Sequence, residues 1–480
     1  MASGRLTLAI NLGNGAISQY DNYDFDSYAV NSPDGVYYAA NSDGLYTLNT
    51  ADTDNTSPIA CHIKSMDSEI VPGDSTNLMR GYLNYRSESE VNITLYADGV
   101  CSDIISVPNN LPSGKWHTDY FTPDLGLFGN QWAVKIANTG GRDLSIRSLH
   151  FILPSRKPAQ FMRGVAGLNT LVDPAVIASG VKSGLSEAAE LVNMYVDDGF
   201  AIHRRPGYTL LQSGVFHSLF CARQSTNVYV IKDRTSDAAL YRVTPTGTLV
   251  GIRSGLEKGT RVFYTEYNGS VYYSDGVKYN GVLNGDTSAA WPFTPPHSSE
   301  LTLQKEFYAA PCGSLMTTFK GRVYMAERDV IWRSEYGNPS RWRKSVYFKL
   351  EGDITLLEAA GDGIYVSDSR QTYFFVPTIQ SDVGLVQSLK ICCGYPAIKG
   401  TSAVTETSRI LGGRAFPGTE GNVVIWASND GVCVGGPTGV VINLTEKKVL
   451  YPKVIEGAGA VMHKHGEKPG MPVLYVVSMK

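Results

Sequence analysis

Apolar and polar residues alternate with a period of two along most of this chain, and the 3.6-residue period of an amphipathic helix is rare. One short pattern recurs. At 269–282 the sequence GSVYYSDGVKYNGV opens on glycine, alternates, turns at Ser-Asp-Gly and returns in a second apolar run. Close relatives of it stand at 35–48 (GVYYAANSDGLYTL), 321–334 (GRVYMAERDVIWRS), 362–376 (DGIYVSDSRQTYFFV) and 422–435 (NVVIWASNDGVCVG). Each predicts two strands joined by a tight turn. From Gly207 onward such runs gather in threes and fours roughly every 40–50 residues, the footprint of a β-propeller. The expectation is a degenerate propeller of about five to six blades over 207–480, with the repeated pattern as the two middle strands of a blade. The Gly-His and Trp-Asp signature of such repeats is missing, and three stacked sandwiches are the competing architecture. The copy at 35–48 stands apart: it either caps the neighbouring domain or completes a blade out of sequence order.

Upstream, residues 1–55 read as hairpins, the first around Asn14-Gly15, a dipeptide suited to a two-residue turn with both residues at positive φ. Residues 56–155 alternate through about seven strands. Val91, Ile93 and Leu95 share one face, and Trp132, Val134 and Ile136 another, as in a jelly-roll-like β-sandwich. LPSRKPAQ at 153–160 marks a boundary, leaving 156–206 as a connector. The connector holds a helix-like stretch, SGLSEAAELVNMYV, which Ser186 would cap with Glu187 and Glu190 near its positive end, unless it runs on as a strand. The fold class expected is all-β.

Composition agrees with many strands and tight turns: 49 glycines and 28 tyrosines in 480 residues. Hydrophobic residues make up 43% and charged residues 18%, which excludes a disordered chain. A net charge of −3 gives no general electrostatic case for nucleic-acid binding. The seven cysteines form no CxxC, and read as reduced, buried thiols of a protein made in a reducing cytosol. MASGRLTLAI lacks a signal-peptide layout and no apolar run could span a membrane, so the chain is expected to be soluble and not secreted by the usual route.

Candidate chemistry is sparse. DNYDFD (21–26) and TADTDNT (50–56) offer oxygens for a cation or, alternatively, turn and cap side chains. His463, His465 and Glu467 could hold a metal on a strand, or form a solvated hairpin tip. Arg204 and Arg205 could grip a phosphate or an acidic neighbour. Adjacent residues of a strand point to opposite faces, so the two cannot fork one ligand, and a turn flanked by interface salt bridges is the reading taken. HExxH, GxSxG, Walker and dinucleotide-binding motifs are absent, and no spacing singles out a catalytic carboxylate pair. No enzyme activity, cofactor or metal is expected.

Three segments carry a resemblance. ELVNMYVDDGFAIHRRPGYTLL, through Asn193, Asp197, Gly199, Arg204, Arg205, Pro206, Gly207 and Tyr208, resembles the entry to the propeller of tailed-bacteriophage tail nozzle or tail-tube-extension proteins. VIWRSEYGNPSRW, through Trp332, Ser334, Gly337, Asn338, Pro339 and Trp342, is similar to a blade segment of the same proteins. SDGLYTLNTADTDNTSPIACHIKS, with the sandwich and WAVKIANTGGRDLSI, resembles a β-domain that accompanies such propellers, although here it precedes the propeller instead of following it. The resemblance implies a virion structural protein of the tail, synthesised in the host cytoplasm. It would form a cyclic homo-oligomer, with a hexamer expected, around the DNA exit channel. Its partners would be adjacent tail or adaptor proteins, a tail fibre, and genomic DNA that passes without specific binding. Arg204, Arg205, Tyr336 and Trp342 are the interface residues expected. A receptor- or glycan-binding tail protein using loops such as YFTPDLGLFGNQW (120–132) is the alternative, and a polysaccharide hydrolase with a paired-carboxylate cleft a third.

Overall fold

The structure is a computed structural model. It describes residues 5–31, 35–71, 73–108, 115–124, 126–138, 140, 143–155, 157–171, 186–299, 307–377, 388–446, 448–463 and 472–480. The protein is all-β, with two short 3-10 turns at Thr407–Arg409 and Leu411–Gly413. Among the described residues no helix is long and apolar enough to cross a membrane.

Five four-stranded antiparallel sheets follow one another along the second half of the chain, each with its strands in sequence order. They begin at Phe216–Cys221, Phe263–Tyr267, Leu315–Phe319, Leu356–Ala360 and Ala403–Glu406. Four copies of the repeated pattern form the second and third strands of such sheets: Ser270–Ser274 with Asn280–Asn284, Arg322–Glu327 with Val330–Glu335, Gly363–Ser367 with Thr372–Pro377, and Asn422–Ser428 with Gly431–Gly435. The fifth copy does the same out of sequence order. Its strands Val36–Ala40 and Gly44–Ala51 lie between Ser27–Asn31 and Gly207–Ser213, which returns to the sheet after the whole sandwich has been built. A further set of strands, one end of a twelve-stranded sheet that runs on into the sandwich through the Gln19–Val192 pairing and is counted below as one sheet, joins the two ends of the described chain. Leu6–Asn11 pairs along its length with Leu474–Met479, flanked by Gly457–Met462 on one side and Ile17–Gln19 on the other.

Alternation makes both faces of each of these seven sheets apolar, and each sheet packs between two others. Leu45 meets Val230, Ile231 meets Tyr273, Tyr272 meets Met325, and Tyr324 meets Val366, in four successive apolar layers. Tyr365 with Trp426, Ile425 with Val477, and Val476 with Tyr37 complete the circle back to the first sheet. Among the described residues, seven apolar layers thus link the seven sheets in a cycle, called the ring below, each sheet sharing a layer with two others. First strands of neighbouring sheets lie side by side, and threonines stitch them together: Thr265 and Thr318 hydroxyls are 3.1 Å apart, and the Thr317 hydroxyl accepts the Ala359 N–H at 3.2 Å. From Gly207 onward the sequence predicts about five to six units. The ring takes five sheets wholly from that region and two that need strands from the first 51 residues.

Glu358 sits on one of these first strands. Its side chain is partly buried. Burial pushes its carboxyl up to about 7, opposed by a hydrogen bond from the Ser402 hydroxyl at 3.0 Å. The native chain therefore holds a proton that the unfolded chain has released, and stability falls as pH rises from about 5 to 7.5. Screening by the partial exposure leaves an effect on the order of 1–2 kcal/mol. Glu358→Gln is expected to lose this slope in urea unfolding compared at pH 5 and pH 8; equal slopes in the two proteins would refute the assignment.

The sandwich faces Val91, Ile93, Leu95, Trp132, Val134 and Ile136 against Leu83, Tyr85, Ile146, Leu149 and Phe151, all buried. It extends beyond the boundary expected at 153–160. Pro158–Met162, Met194–Val196 and Ile202–Arg204 belong to one of its sheets, Val165–Leu168 and Ser186–Val192 to the other. The residues read as a connector thus carry strands of both layers. The helix-like stretch is strand at Ser186–Val192, held between Cys61–Ser65 and Val165–Leu168, and this pairing overrides the helix propensity of Ala and Glu. Asn193, at φ 55°, then swings the chain into the opposite sheet. Asn14-Gly15 is not a two-residue turn, because only Gly15 is left-handed. Asn14 instead accepts the Ala16 N–H and donates to the Asp197 carbonyl. All seven cysteines are free thiols, but only Cys61 and Cys433 are buried; Cys101 and Cys392 lie at the surface, against the expectation.

Candidate functional site

The residues carrying the first resemblance meet where the sandwich joins the ring. Asn193 Oδ1 accepts the Asp21 N–H at 2.8 Å and Arg205 Nε at 2.9 Å, while its Nδ2 donates to the Ala60 carbonyl. Arg205 grips Asp54 with both Nη atoms, at 2.8 and 2.5 Å, donates to the Asp21 carbonyl, and lies 4.9 Å from the Tyr23 ring centre. Arg204, on the other face as alternation demands, donates to the Asp52 carbonyl at 3.0 Å. Asp197 accepts the Gly199 and Ala201 N–H groups and faces His203 at 2.9 Å. Gly207 passes so close to the strand Thr53–Asp54 that a Cβ there would lie 2.0 Å from the Thr53 carbonyl oxygen.

One expectation changes here, and one alternative falls away. Arg204 and Arg205 are 1% and 0% exposed, so they face no partner; their salt bridges are internal. Asp54 of TADTDNT spends its carboxylate on Arg205 and is no cation ligand. In DNYDFD, Asp26 pairs with Arg5 and Lys480. Sequence spacing carries no signal for these pairings, since Asp54 and Arg205 are 151 residues apart.

The second resembling segment is also an interior fastening. Trp342 is 3% exposed, and its indole N–H donates to the Pro339 carbonyl at 2.8 Å, an oxygen that also accepts from Trp291 at 2.9 Å. Asn338 Oδ1 accepts from the Ser340 N–H and hydroxyl, and the Ser334 hydroxyl accepts the Val323 N–H. Trp342 therefore contacts no partner. Of the four interface residues expected, Tyr336 alone is at the surface, 70% exposed.

Tyr336 borders a groove of about 430 Å³ lined by Phe319, Lys320, Gly321, Arg322, Tyr324 and Pro377. Lys320 and Gly321 form a two-residue turn, both with positive φ, 44° and 72°, between paired Phe319 and Arg322. Gly321 is obligatory for a second reason: a Cβ would stand 2.7 Å from the Tyr336 ring. The turn Asn268-Gly269 occupies the matching place one sheet earlier. Sequence reading missed Lys320 and Arg322, although FKGR set beside YNGS puts a lysine where the turn favours asparagine.

Among the described residues there are two Ser-His-Asp arrangements. Ser218 Oγ, His217 and Asp233 are linked at 2.8 and 3.2 Å, and Ser145 Oγ, His203 and Asp197 at 2.9 and 2.9 Å. The serines are 4% and 0% exposed, so a substrate carbonyl has no approach to either hydroxyl. Burial lowers the basicity of His217, against the pull of Asp233. Among the described residues no three His, Cys, Asp or Glu side chains are grouped to hold a metal. Of the histidines weighed as a metal site against a solvated hairpin tip, His465, with its neighbour Glu467, lies outside the described residues. In the 120–132 stretch, Tyr120 and Phe128 are 64% and 63% exposed, with the Arg80 guanidinium 4.8 Å from the Tyr120 ring centre.

No family model and no curated protein matches the sequence. Among solved structures, a chain of a complex of S. cerevisiae Dbp5 with Nup159, Gle1, IP6 and ADP is similar over 56% of this chain and 77% of its own, at TM-score 0.32 and 11% identity. An auxiliary nutrient binding protein from Bacteroides thetaiotaomicron is similar over 81% of this chain and 91% of its own, at TM-score 0.34 and 7% identity. Neither likeness establishes a shared fold.

Proposed function

We propose that this chain is a non-catalytic structural component of a bacteriophage tail: a nozzle, tube extension or distal ring around the DNA exit channel. We read the circle of seven sheets as a seven-bladed β-propeller from which the sandwich projects. The observation that carries the proposal is the use made of the Asn193–Tyr208 signature. Its polar side chains are spent on joining sandwich to ring, which suits a signature of architecture and not of a ligand. A body stiffened in this way presents loops at its ends to neighbours, while its strands keep those loops in register. Copies would contact one another through heterologous surfaces that close, a hexamer being the expected count, with adaptor or tail proteins above and below. DNA would pass without specific contacts. Electron cryomicroscopy of virus particles from the producing host tests this: a ring of this chain on the tail axis with a DNA-wide channel is expected. An off-axis position on a fibre, or absence from the particle, would overturn it. Exposed Tyr120 and Phe128 favour, as a second reading, a tail protein that recognises host-surface glycan.

A further inference from the structure

We propose that the groove beside Tyr336 binds a saccharide carrying a carboxylate, with Tyr336 stacked on a sugar ring and Lys320 and Arg322 taking the charge. This does not depend on the tail reading. The volume of about 430 Å³ falls in the range of small-molecule sites, roughly 300–1,000 Å³. Tyr336 is held against Gly321, yet stays open to water. An exposed, immobilised aromatic ring offers a flat apolar face at little entropic cost, which suits the C–H face of a sugar.

The cations are placed as firmly. Lys320 stands in a left-handed turn that disfavours a side chain with a Cβ, where the previous sheet uses asparagine. The turn points it from a fixed base, with Nζ 5.0 Å from the Phe319 ring centre. Arg322 donates one N–H to the Ser334 carbonyl at 2.9 Å and lies 5.9 Å from the Tyr336 ring centre. Among the described residues neither has a carboxylate in ion-pair contact. Behind them Arg333 is 6% exposed and also lacks an ion pair; burial and the Arg322 charge both weaken its hold on its proton, while Tyr324 hydrogen-bonds it. Lys320 and Arg322 on the wall of the groove, with Arg333 behind them only partly offset by Glu335, leave a surplus of positive charge at one end of it. One anionic group beside one ring matches that layout. A nucleic acid would need a longer track of cations, and Glu327 and Glu335 flank this one. A peptide carboxylate would leave the face of Tyr336 without a flat partner.

The test is calorimetric titration of the full chain with tetramers of galacturonate, glucuronate and mannuronate, beside a neutral gluco-tetramer and a single-stranded oligonucleotide. Binding of at least one uronate tetramer is expected, about tenfold or more tighter than the neutral sugar and weakened by salt. Lys320→Asn keeps the turn and Tyr336→Ala removes only an exposed ring, so both should keep the wild-type melting temperature while weakening binding about tenfold. No uronate binding at millimolar concentration, equal binding of the neutral sugar, tighter binding of the oligonucleotide, or affinity unchanged in both variants would overturn the proposal.

Discussion

Arg205→Met is expected to lower the unfolding free energy by about 3–5 kcal/mol, the cost of leaving a buried partner charge unpaired. Asp54 is 7% exposed and would lose both donors of its bidentate pair. Asn193 Oδ1 and the Asp21 carbonyl would each lose a hydrogen bond as well. Burial alone would make the guanidinium easier to deprotonate, but Asp54 and the Tyr23 and Tyr20 hydroxyls hold the proton more tightly than in water. The comparison that separates the pair from its packing is the double variant Arg205→Met with Asp54→Leu. Removing both charges removes the orphan, so the double variant should recover most of the loss. Urea unfolding of the three proteins measures this. A single-variant loss under about 1 kcal/mol would mean that water enters the junction and that it fastens nothing.

Deleting residues 1–20 is expected to abolish cooperative unfolding of the ring and not merely to shorten it. Leu8, Ile10, Leu12 and Ile17 are all fully buried, and each contributes about 1.5–3 kcal/mol by burial. Their sum, about 6–12 kcal/mol, is comparable with the whole stability of an ordinary domain. The deletion also strips the edge of Leu474–Met479 and opens apolar faces on the two neighbouring sheets. Loss of the calorimetric transition, with dye binding to exposed apolar surface, is the expected result. A transition that persists with unchanged midpoint would show that the ring stands without its seventh sheet.

Local grammar was legible because it is written within a few residues: alternation, then a turn with glycine or asparagine, then alternation again. Every copy of the repeated pattern became the two middle strands of a sheet for this reason. What stayed hidden was long-range. Nothing in LTLAIN names its partner LYVVSM, and nothing in GYTLLQS says that it completes a sheet begun before the sandwich. The arginines were misassigned on the same account, since a charge run looks exposed until its aspartates are found. The groove was half visible: Tyr336 stood out, but Lys320 and Arg322 reach it only because two hairpin turns of one sheet fold against each other, with the Gly337 N–H bonded to the Gly321 carbonyl at 2.9 Å.

The ring's closing sheet also sets a schedule. During synthesis Leu6–Asn11 emerges well before its partner and can pair at once with Ile17–Gln19, but its other edge has no mate until Leu474–Met479 leaves the ribosome. At ordinary translation speeds that wait lasts on the order of tens of seconds. Throughout it an apolar strand edge is available to any other nascent chain on the same message. The sandwich matures earlier, and its strand Ser186–Val192 reaches Ile17–Gln19 through the Gln19–Val192 pairing, so it can anchor the waiting hairpin. Isolated ring sequence, made without that anchor, would meet its closing step with nothing to guard the open edge.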